Sequence, residues 1–157
     1  MEALVAIAVV PAAVRGRELR ARFPDIASYE NVSVSHTTGL SVMAGSAARV
    51  GIDVEVCRRR PFAERLAART MTPLEREHWR AAGATSDALT LHWTRVEAYL
   101  KAIGTGVRGG YLTRPGDGWS VIDLDLDPAP GHVGSIALEC THAVITMRWA
   151  PVHETSR

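Results

Sequence analysis

Short apolar and alternating stretches predict β-strands in the first third of the chain. Residues 3–10 are wholly apolar, and residues 32–36 alternate valine with serine, which is the period of a strand with one buried face. The turn residues that follow predict a hairpin whose second strand covers 40–47, and another apolar stretch predicts a strand at 49–56. A short helix is expected between the first two strands, at 12–22.

The spacing of apolar positions changes to that of helices in the middle of the chain. Two short helices are expected at 61–70 and 72–83, the second with a capping pattern of Thr72 at its start and Glu75 three residues later. A long helix is expected at 86–103, where apolar side chains recur every three or four residues. The apolar stripe of this helix consists of Leu89, Trp93, Val96, Leu100 and Ile103.

The last third of the chain returns to β-strands, which are expected at 118–126, 134–140 and 142–150. The tail, 151–157, is expected to fray. The sequence contains no obvious linker, short repeat or low-complexity stretch. This mixture of helices and strands predicts a single domain over residues 1–157, of the α+β class.

The composition is that of an ordinary globular protein, with 46% hydrophobic and 22% charged residues. A net charge of +1 argues against general nucleic-acid binding, which depends on a strongly basic surface. The apolar N-terminus carries Glu2, is interrupted by Pro11 and is too short to span a bilayer, so we expect a cytoplasmic protein without a membrane segment. Cys57 and Cys140 are far apart in the chain and are expected to be reduced thiols.

Two carboxylates stand on one face of the strand expected at 49–56. Asp53 and Glu55 are two residues apart and therefore share a face, whereas the valines and the isoleucine of the strand form the opposite, apolar face. Two like charges so close repel each other unless a cation lies between them. Two explanations are open: an exposed face neutralised by the arginines at 58–60, or a site for a hard cation such as Mg²⁺.

The long helix carries a second pair of charges, Glu97 and the only lysine of the chain, Lys101. Their spacing of four residues fits an ordinary stabilising ion pair, but both lie at the edge of the apolar stripe, which also fits the rim of a site. His36 ends the alternating strand. It too has a structural and a functional interpretation: a hydrogen bond that stabilises the fold, or a contact with a ligand. Taken singly, none of these features identifies a function.

Three segments, in a fixed order, resemble a known signature. The stretches "VSVSHTTG" at 32–39, "VGIDVEV" at 50–56 and "WTRVEAYLKAIGTG" at 93–106 are similar to the motifs of the 4′-phosphopantetheinyl transferases of the surfactin-synthetase-activating type. Those motifs are S-H-[ST], then G-[IV]-D-[IV]-E, then W-[ST]-x-K-E-[AS]-x-x-K-A-x-G-x-G. The similarity covers residues 30–106 well and the strands after them loosely.

The resemblance implies a fold of two similar α+β halves, residues 1–48 and 49–157, each with an antiparallel sheet and a long packed helix. It also implies an enzyme that transfers the 4′-phosphopantetheine arm of coenzyme A to a serine of an apo acyl or peptidyl carrier protein. Mg²⁺ is the implied cofactor, 3′,5′-ADP is the implied second product, and secondary-metabolite biosynthesis is the implied setting.

The resemblance assigns roles to the candidate residues. Asp53, Glu55 and Glu97 are the expected metal ligands, and Glu97 is also the expected base for the carrier serine, either directly or through a metal-bound water. Lys101 is expected to act in catalysis by contacting the pyrophosphate of coenzyme A. His36 is expected to contact a phosphate of coenzyme A, with Ser35 beside it in the binding site.

Two departures from the family pattern open an alternative. Val96 stands where the family has lysine, and the part of the chain before His36 is short and lacks the G-K-P loop. The alternative is a repurposed or inactive member that holds a carrier protein or its tethered intermediate without phosphopantetheinyl transfer. A third interpretation is a scaffold protein in which Asp53 and Glu55 form only a solvated face.

Overall fold

Two β-sheets form the centre of the protein. The computed structural model describes residues 2–127 and 129–150. Within these residues the strands are β1 (Glu2–Val10), β2 (Asn31–Thr37), β3 (Leu40–Ser46), β4 (Val50–Val56), β5 (Ser120–Asp123), β6 (His132–Leu138) and β7 (His142–Trp149). The helices are α1 (Gly16–Arg22), α2 (Pro24–Ala27), α3 (Ala63–Thr70), α4 (Pro73–Ala81) and α5 (Ser86–Ala102), followed by a 3-10 turn at Gly106–Gly109.

The strands are shared between a four-stranded and a three-stranded sheet. The first sheet has the order β2–β3–β1–β7, and the second has the order β4–β6–β5. Neighbouring strands are antiparallel, except that β7 pairs with β1 in parallel. The α+β class is confirmed. The expected boundary between 1–48 and 49–157 falls between β3 and β4, but β7 returns to the first sheet, so the division into halves stays a prediction.

Apolar side chains at alternate strand positions pack between the two sheets. Val5, Ile7 and Val9 of β1 are buried there, in one cluster with Ile52 and Val54 of β4. The short helices α1 and α2 cover the outer face of the first sheet, and α5, with 17 residues, covers the outer face of the second. The resemblance implied a long helix in each half, whereas in the described residues only the second sheet carries one.

The helix expected at 12–22 is shorter than predicted and begins at Gly16. The hydroxyl of Ser41 accepts a hydrogen bond from the Val14 N–H at 2.7 Å and donates one to the Ala12 carbonyl at 2.7 Å. These bonds hold the backbone before the helix in a non-helical conformation. A contact with a distant strand therefore sets this boundary, which local spacing does not reveal.

The strand expected at 118–126 is also shorter, and only β5 is extended. After β5, the Asp125 carboxylate accepts a hydrogen bond from the Asp127 N–H at 3.1 Å, which is a turn-forming contact. The other predicted elements lie within two residues of their expected bounds. The expected fraying of the tail concerns residues 151–157, which lie outside the described residues.

The predicted capping of α4 is confirmed. The Thr72 N–H donates to the Glu75 carboxylate at 2.7 Å, and the Glu75 N–H donates to the Thr72 hydroxyl at 3.3 Å. Arg114 adds a long-range clamp, because its guanidinium donates to both oxygens of Glu75 and to the Thr70 carbonyl at the end of α3. These donors, Arg114 foremost, lower the pKa of Glu75 to about 2.

This clamp is expected to make stability fall in acid. The folded protein keeps Glu75 charged at pH values at which the same residue in the unfolded chain is already protonated. The contribution of the clamp to the free energy of unfolding is therefore complete above about pH 4.5 and is lost as the pH falls towards 2. After allowance for solvent screening, we expect a contribution of about 1 kcal/mol. Chemical denaturation near pH 2 and above pH 4.5 should show that the free energy of unfolding changes less with pH in Glu75→Gln than in wild type. Glu77→Gln, on the exposed side of the same helix, is the matched control, and an equal effect of both changes would contradict the clamp.

Candidate functional site

A cleft of about 360 Å³ lies where β2, β4 and α5 come together. It gathers all the residues that the sequence singled out as candidate site residues. Its lining consists of Val34, Ser35 and His36 from β2, Asp53 and Glu55 from β4, and Trp93, Glu97 and Lys101 from α5. Three motifs that are distant in the chain therefore meet in one place.

Gly51 in β4 brings α5 close to the carboxylate strand. A Cβ atom at this position would meet the backbone of α5, well inside contact distance of the Ala98 carbonyl and 2.5 Å from the Ala102 nitrogen. Ala98 and Ala102 are themselves small, so helix and strand approach with little side chain between them. This close approach carries Lys101 to the carboxylate of Asp53.

Asp53 is the most buried charged group of the cleft, with 6% of its surface exposed. Its Oδ1 atom accepts hydrogen bonds from the Ser35 hydroxyl at 3.0 Å and from Lys101 Nζ at 2.7 Å. Its Oδ2 atom is buried and has no hydrogen-bond partner in the described structure. Burial raises the pKa of Asp53 although Lys101 and Ser35 oppose the shift. The alternative of a solvated face with arginine partners therefore does not hold for this residue.

The other two carboxylates of the cleft are electrostatically coupled to Asp53. Burial, and after it the charge of Asp53, raises the pKa of Glu55, while Arg60 and Arg58 act in the opposite direction. Burial and the charges of Asp53 and Glu55 raise the pKa of Glu97 as well, against the influence of Lys101. The three groups thus repel one another, and a bound cation would relieve that repulsion.

Lys101 does not serve mainly as the helix partner of Glu97. Its Nζ donates to the Ile52 carbonyl at 3.0 Å and forms an ion pair with Asp53 at 2.7 Å. The lysine thereby ties α5 to β4 and partly neutralises the cleft. His36 lies at the exposed end of the lining, where its side chain is open to a ligand.

The residues present fit a hard divalent cation. Within residues 2–127 and 129–150, no three side chains of the His, Cys, Asp and Glu types already form a cage around a metal position. Mg²⁺ commonly binds one or two protein carboxylates and completes its shell with substrate phosphates and water, so a cage is not required. The unpartnered Oδ2 of Asp53, beside two repelling glutamates, supplies the oxygen donors that this ion prefers.

Val96 lies outside the cleft. The residue is 5% exposed and lines a second cavity, of about 180 Å³, on another side of α5. The other residues of this cavity are Glu75, His92, Arg95, Tyr99, Thr113, Arg114, Pro115 and Val121. Neighbouring positions on a helix point about 100° apart, which separates Val96 from Glu97. The valine is a packing residue here, as its place in the apolar stripe predicted.

We expect Val96→Lys to destabilise the protein by about 2–4 kcal/mol, because it places a charge at a buried position where Glu75, the acid that lines the same cavity, is already paired with Arg114. It should not increase ligand binding in the cleft. Val96→Met, which is apolar and can extend into the cavity, is the matched control and should stay within about 1.5 kcal/mol of wild type. Urea denaturation measures both changes. Wild-type stability in Val96→Lys would show that this position reaches solvent or the cleft.

The motifs did not reveal the polar network behind the cleft. The hydroxyls of Thr94 and Ser135, both fully buried, are hydrogen-bonded at 2.9 Å and tie α5 to β6. The Ser135 hydroxyl also bonds to Asp123, which pairs with Arg95. A polar residue on the packed side of α5, Thr94, could have indicated such a network, but sequence alone does not identify its partner.

Comparison with known sequences agrees with the geometry. A family model described as the 4′-phosphopantetheinyl transferase superfamily matches residues 49–145, which include α5 and the whole of the second sheet. No curated protein sequence gives a significant match. No helix in the described part of the chain has the length and apolar character needed to cross a bilayer.

Proposed function

The chain belongs to the 4′-phosphopantetheinyl transferase superfamily, and on this premise we propose that it transfers the phosphopantetheine arm of coenzyme A to a serine of an apo acyl or peptidyl carrier protein, with Mg²⁺ as cofactor. The observation that carries the proposal is the single cleft that gathers Asp53, Glu55, Glu97, Lys101 and His36. Superfamily membership supports phosphopantetheine transfer in general. The holo-carrier-protein synthase activity, the surfactin-synthetase-activating subtype, the cytoplasmic location and the secondary-metabolite setting are parts of the proposal.

The three carboxylates Asp53, Glu55 and Glu97 would hold the metal ion. When bound, Mg²⁺ would neutralise charge on the pyrophosphate as the leaving group departs. The protein's own contribution is to keep these oxygens together at the junction of β4 and α5. Lys101 adds a positive charge at the same junction, from which its flexible side chain can reach a phosphate of coenzyme A.

The proposed reaction is a displacement at phosphorus. The carrier serine oxygen bonds to the phosphorus that carries the pantetheine arm, the bridging P–O bond breaks, and 3′,5′-ADP leaves with the bridging oxygen. Glu97 takes the serine proton, for which its partly exposed position on the cleft wall is suited. His36, exposed at the end of β2, binds a phosphate of coenzyme A, and Ser35 stands behind it.

The alternative of a carrier-binding protein without transfer is not favoured. It was motivated by Val96 and by the missing G-K-P loop. The first motive no longer supports it, because Val96 lines a cavity separate from the cleft that gathers the carboxylates.

The test is modification of carrier proteins. The full chain is incubated with coenzyme A, Mg²⁺ and a panel of apo acyl and peptidyl carrier proteins, and intact mass reports the added arm. We expect modification of at least one carrier and release of 3′,5′-ADP in equal amount. A folded protein that modifies no carrier would contradict the proposal, and binding of a holo carrier without transfer would support the alternative.

A further inference from the structure

Two serines of β2 form the junction between the two sheets. Ser33 and Ser35 lie two residues apart on the face of β2 that is turned towards β4. The Ile52 N–H donates to the Ser33 hydroxyl at 3.1 Å, and the Val54 N–H donates to the Ser35 hydroxyl at 3.2 Å. At this edge the sheets are therefore joined by side chains. The serine hydroxyls accept hydrogen bonds from backbone N–H groups of β4 that would otherwise pair with a neighbouring strand.

The two serines differ in what else they bind. A hydroxyl carries one donor and two acceptor positions, and Ser35 uses its donor on Asp53 Oδ1 at 3.0 Å. For Ser33, the described contact is the backbone bond from Ile52. Ser35 is 7% exposed, so this hydrogen bond is shielded from water. One serine joins the sheets, whereas the other joins the sheets and also holds a carboxylate.

Two donors from different elements restrain the Asp53 carboxylate. Ser35 approaches Oδ1 from β2, and Lys101 approaches the same atom from α5. Because both donors act on Oδ1, the carboxyl plane is fixed and Oδ2 remains the acceptor without a partner. Outer contacts of this kind orient metal-binding carboxylates and strengthen the binding of the ion.

We propose that Ser35 is a positioning residue that presents the Oδ2 atom of Asp53 to the metal ion, an inference that rests on the proposed function. The motif resemblance had placed Ser35 only beside His36 in the coenzyme A site. The hydrogen bonds give it a different task, because its hydroxyl is used on Asp53 and Val54. It acts on the cation through Asp53 and does not itself touch the reacting atoms.

Mn²⁺ binding, followed by electron paramagnetic resonance on the full chain, tests this assignment. We expect Ser35→Ala to weaken Mn²⁺ binding about tenfold, as is usual when an outer partner of a ligand is removed. Ser33→Ala removes the equivalent contact between the sheets and should leave the affinity within about twofold of wild type. Ser35→Thr keeps the hydroxyl and should restore most of the loss. Equal weakening by Ser33→Ala and Ser35→Ala would overturn the inference and leave the proposed function standing.

A double-mutant cycle in metal-free buffer gives an independent result. Ser35→Ala and Asp53→Ala remove two ends of one hydrogen bond, so their effects on unfolding should be non-additive, whereas Ser33→Ala and Asp53→Ala should be additive. Additivity in the Ser35 cycle would overturn the inference whatever the metal measurements show.

Failure of folded wild-type protein to bind Mn²⁺ with or without coenzyme A would instead overturn the proposed function, and the positioning role with it.

Discussion

Asp53→Asn is expected to reduce phosphopantetheinyl transfer by about 100-fold or more, at the upper end of losses seen when a metal-binding shell is disturbed. Asparagine has nearly the same shape as aspartate, but its amide oxygen carries no net charge and attracts a divalent cation much less strongly than a carboxylate does. It also leaves Lys101 without the ion pair that holds it at 2.7 Å from the carboxylate. Initial rates of carrier modification, measured by intact mass, give the size of the loss.

The same substitution should not lower the stability of the metal-free protein. Burial raises the pKa of Asp53, so the fold disfavours its charged form, and the repulsion from Glu55 and Glu97 acts in the same sense. A raised acid pKa means that stability is reduced at pH values above the unfolded pKa, and a neutral amide removes that reduction. Thermal melting at neutral pH should therefore show an equal or higher midpoint for Asp53→Asn.

Loss of activity with retained stability separates a functional carboxylate from a structural one. Asp117→Asn, in an exposed loop, is the matched control and should leave both transfer and melting unchanged. If Asp53→Asn transfers the arm at the wild-type rate, the buried carboxylate is not a metal ligand. If it unfolds, the pair with Lys101 stabilises the fold more than the repulsion within the cleft weakens it.

Local patterns in the sequence predicted those features that depend on neighbours in the chain. The β2–β3 hairpin follows from alternating side chains on either side of a short turn, and the start of α4 follows from the spacing of Thr72 and Glu75. The cleft could also be anticipated, because the resemblance joined three separate motifs. Each of these predictions needed only the local sequence or the order of the motifs.

Contacts between distant segments could not be predicted in this way. Periodicity showed that Ser33 and Ser35 share a face of β2, but it could not show that β4 lies opposite them. In the same way, a spacing of four residues suggested Glu97 as the partner of Lys101, whereas the close packing of α5 on β4 gives it Asp53. The parallel pairing of β7 with β1 likewise depends on the whole chain path.

Gly51→Ala is expected to have the largest effect on stability, a loss of about 3 kcal/mol or more. The added methyl group would collide with the backbone of α5 at Ala98 and Ala102, and backbone atoms of a helix cannot turn aside as a side chain can. Since a domain of this size is stable by only about 5–15 kcal/mol, the change removes a large part of the total. Helix α5 must move away from β4, which also withdraws Lys101 and Glu97 from Asp53.

Gly116→Ala is the matched control, because no atom lies within 4 Å of the Cβ it would add and its φ is outside the range restricted to glycine. It should leave both stability and transfer close to wild type. Urea denaturation gives the stability of the two variants, and Mn²⁺ binding by the folded fraction of Gly51→Ala shows whether the cleft survives. Equal stability of the two alanine variants would show that α5 can shift at little cost, and then the close packing at Gly51 would not be what sets the geometry of the carboxylate cleft.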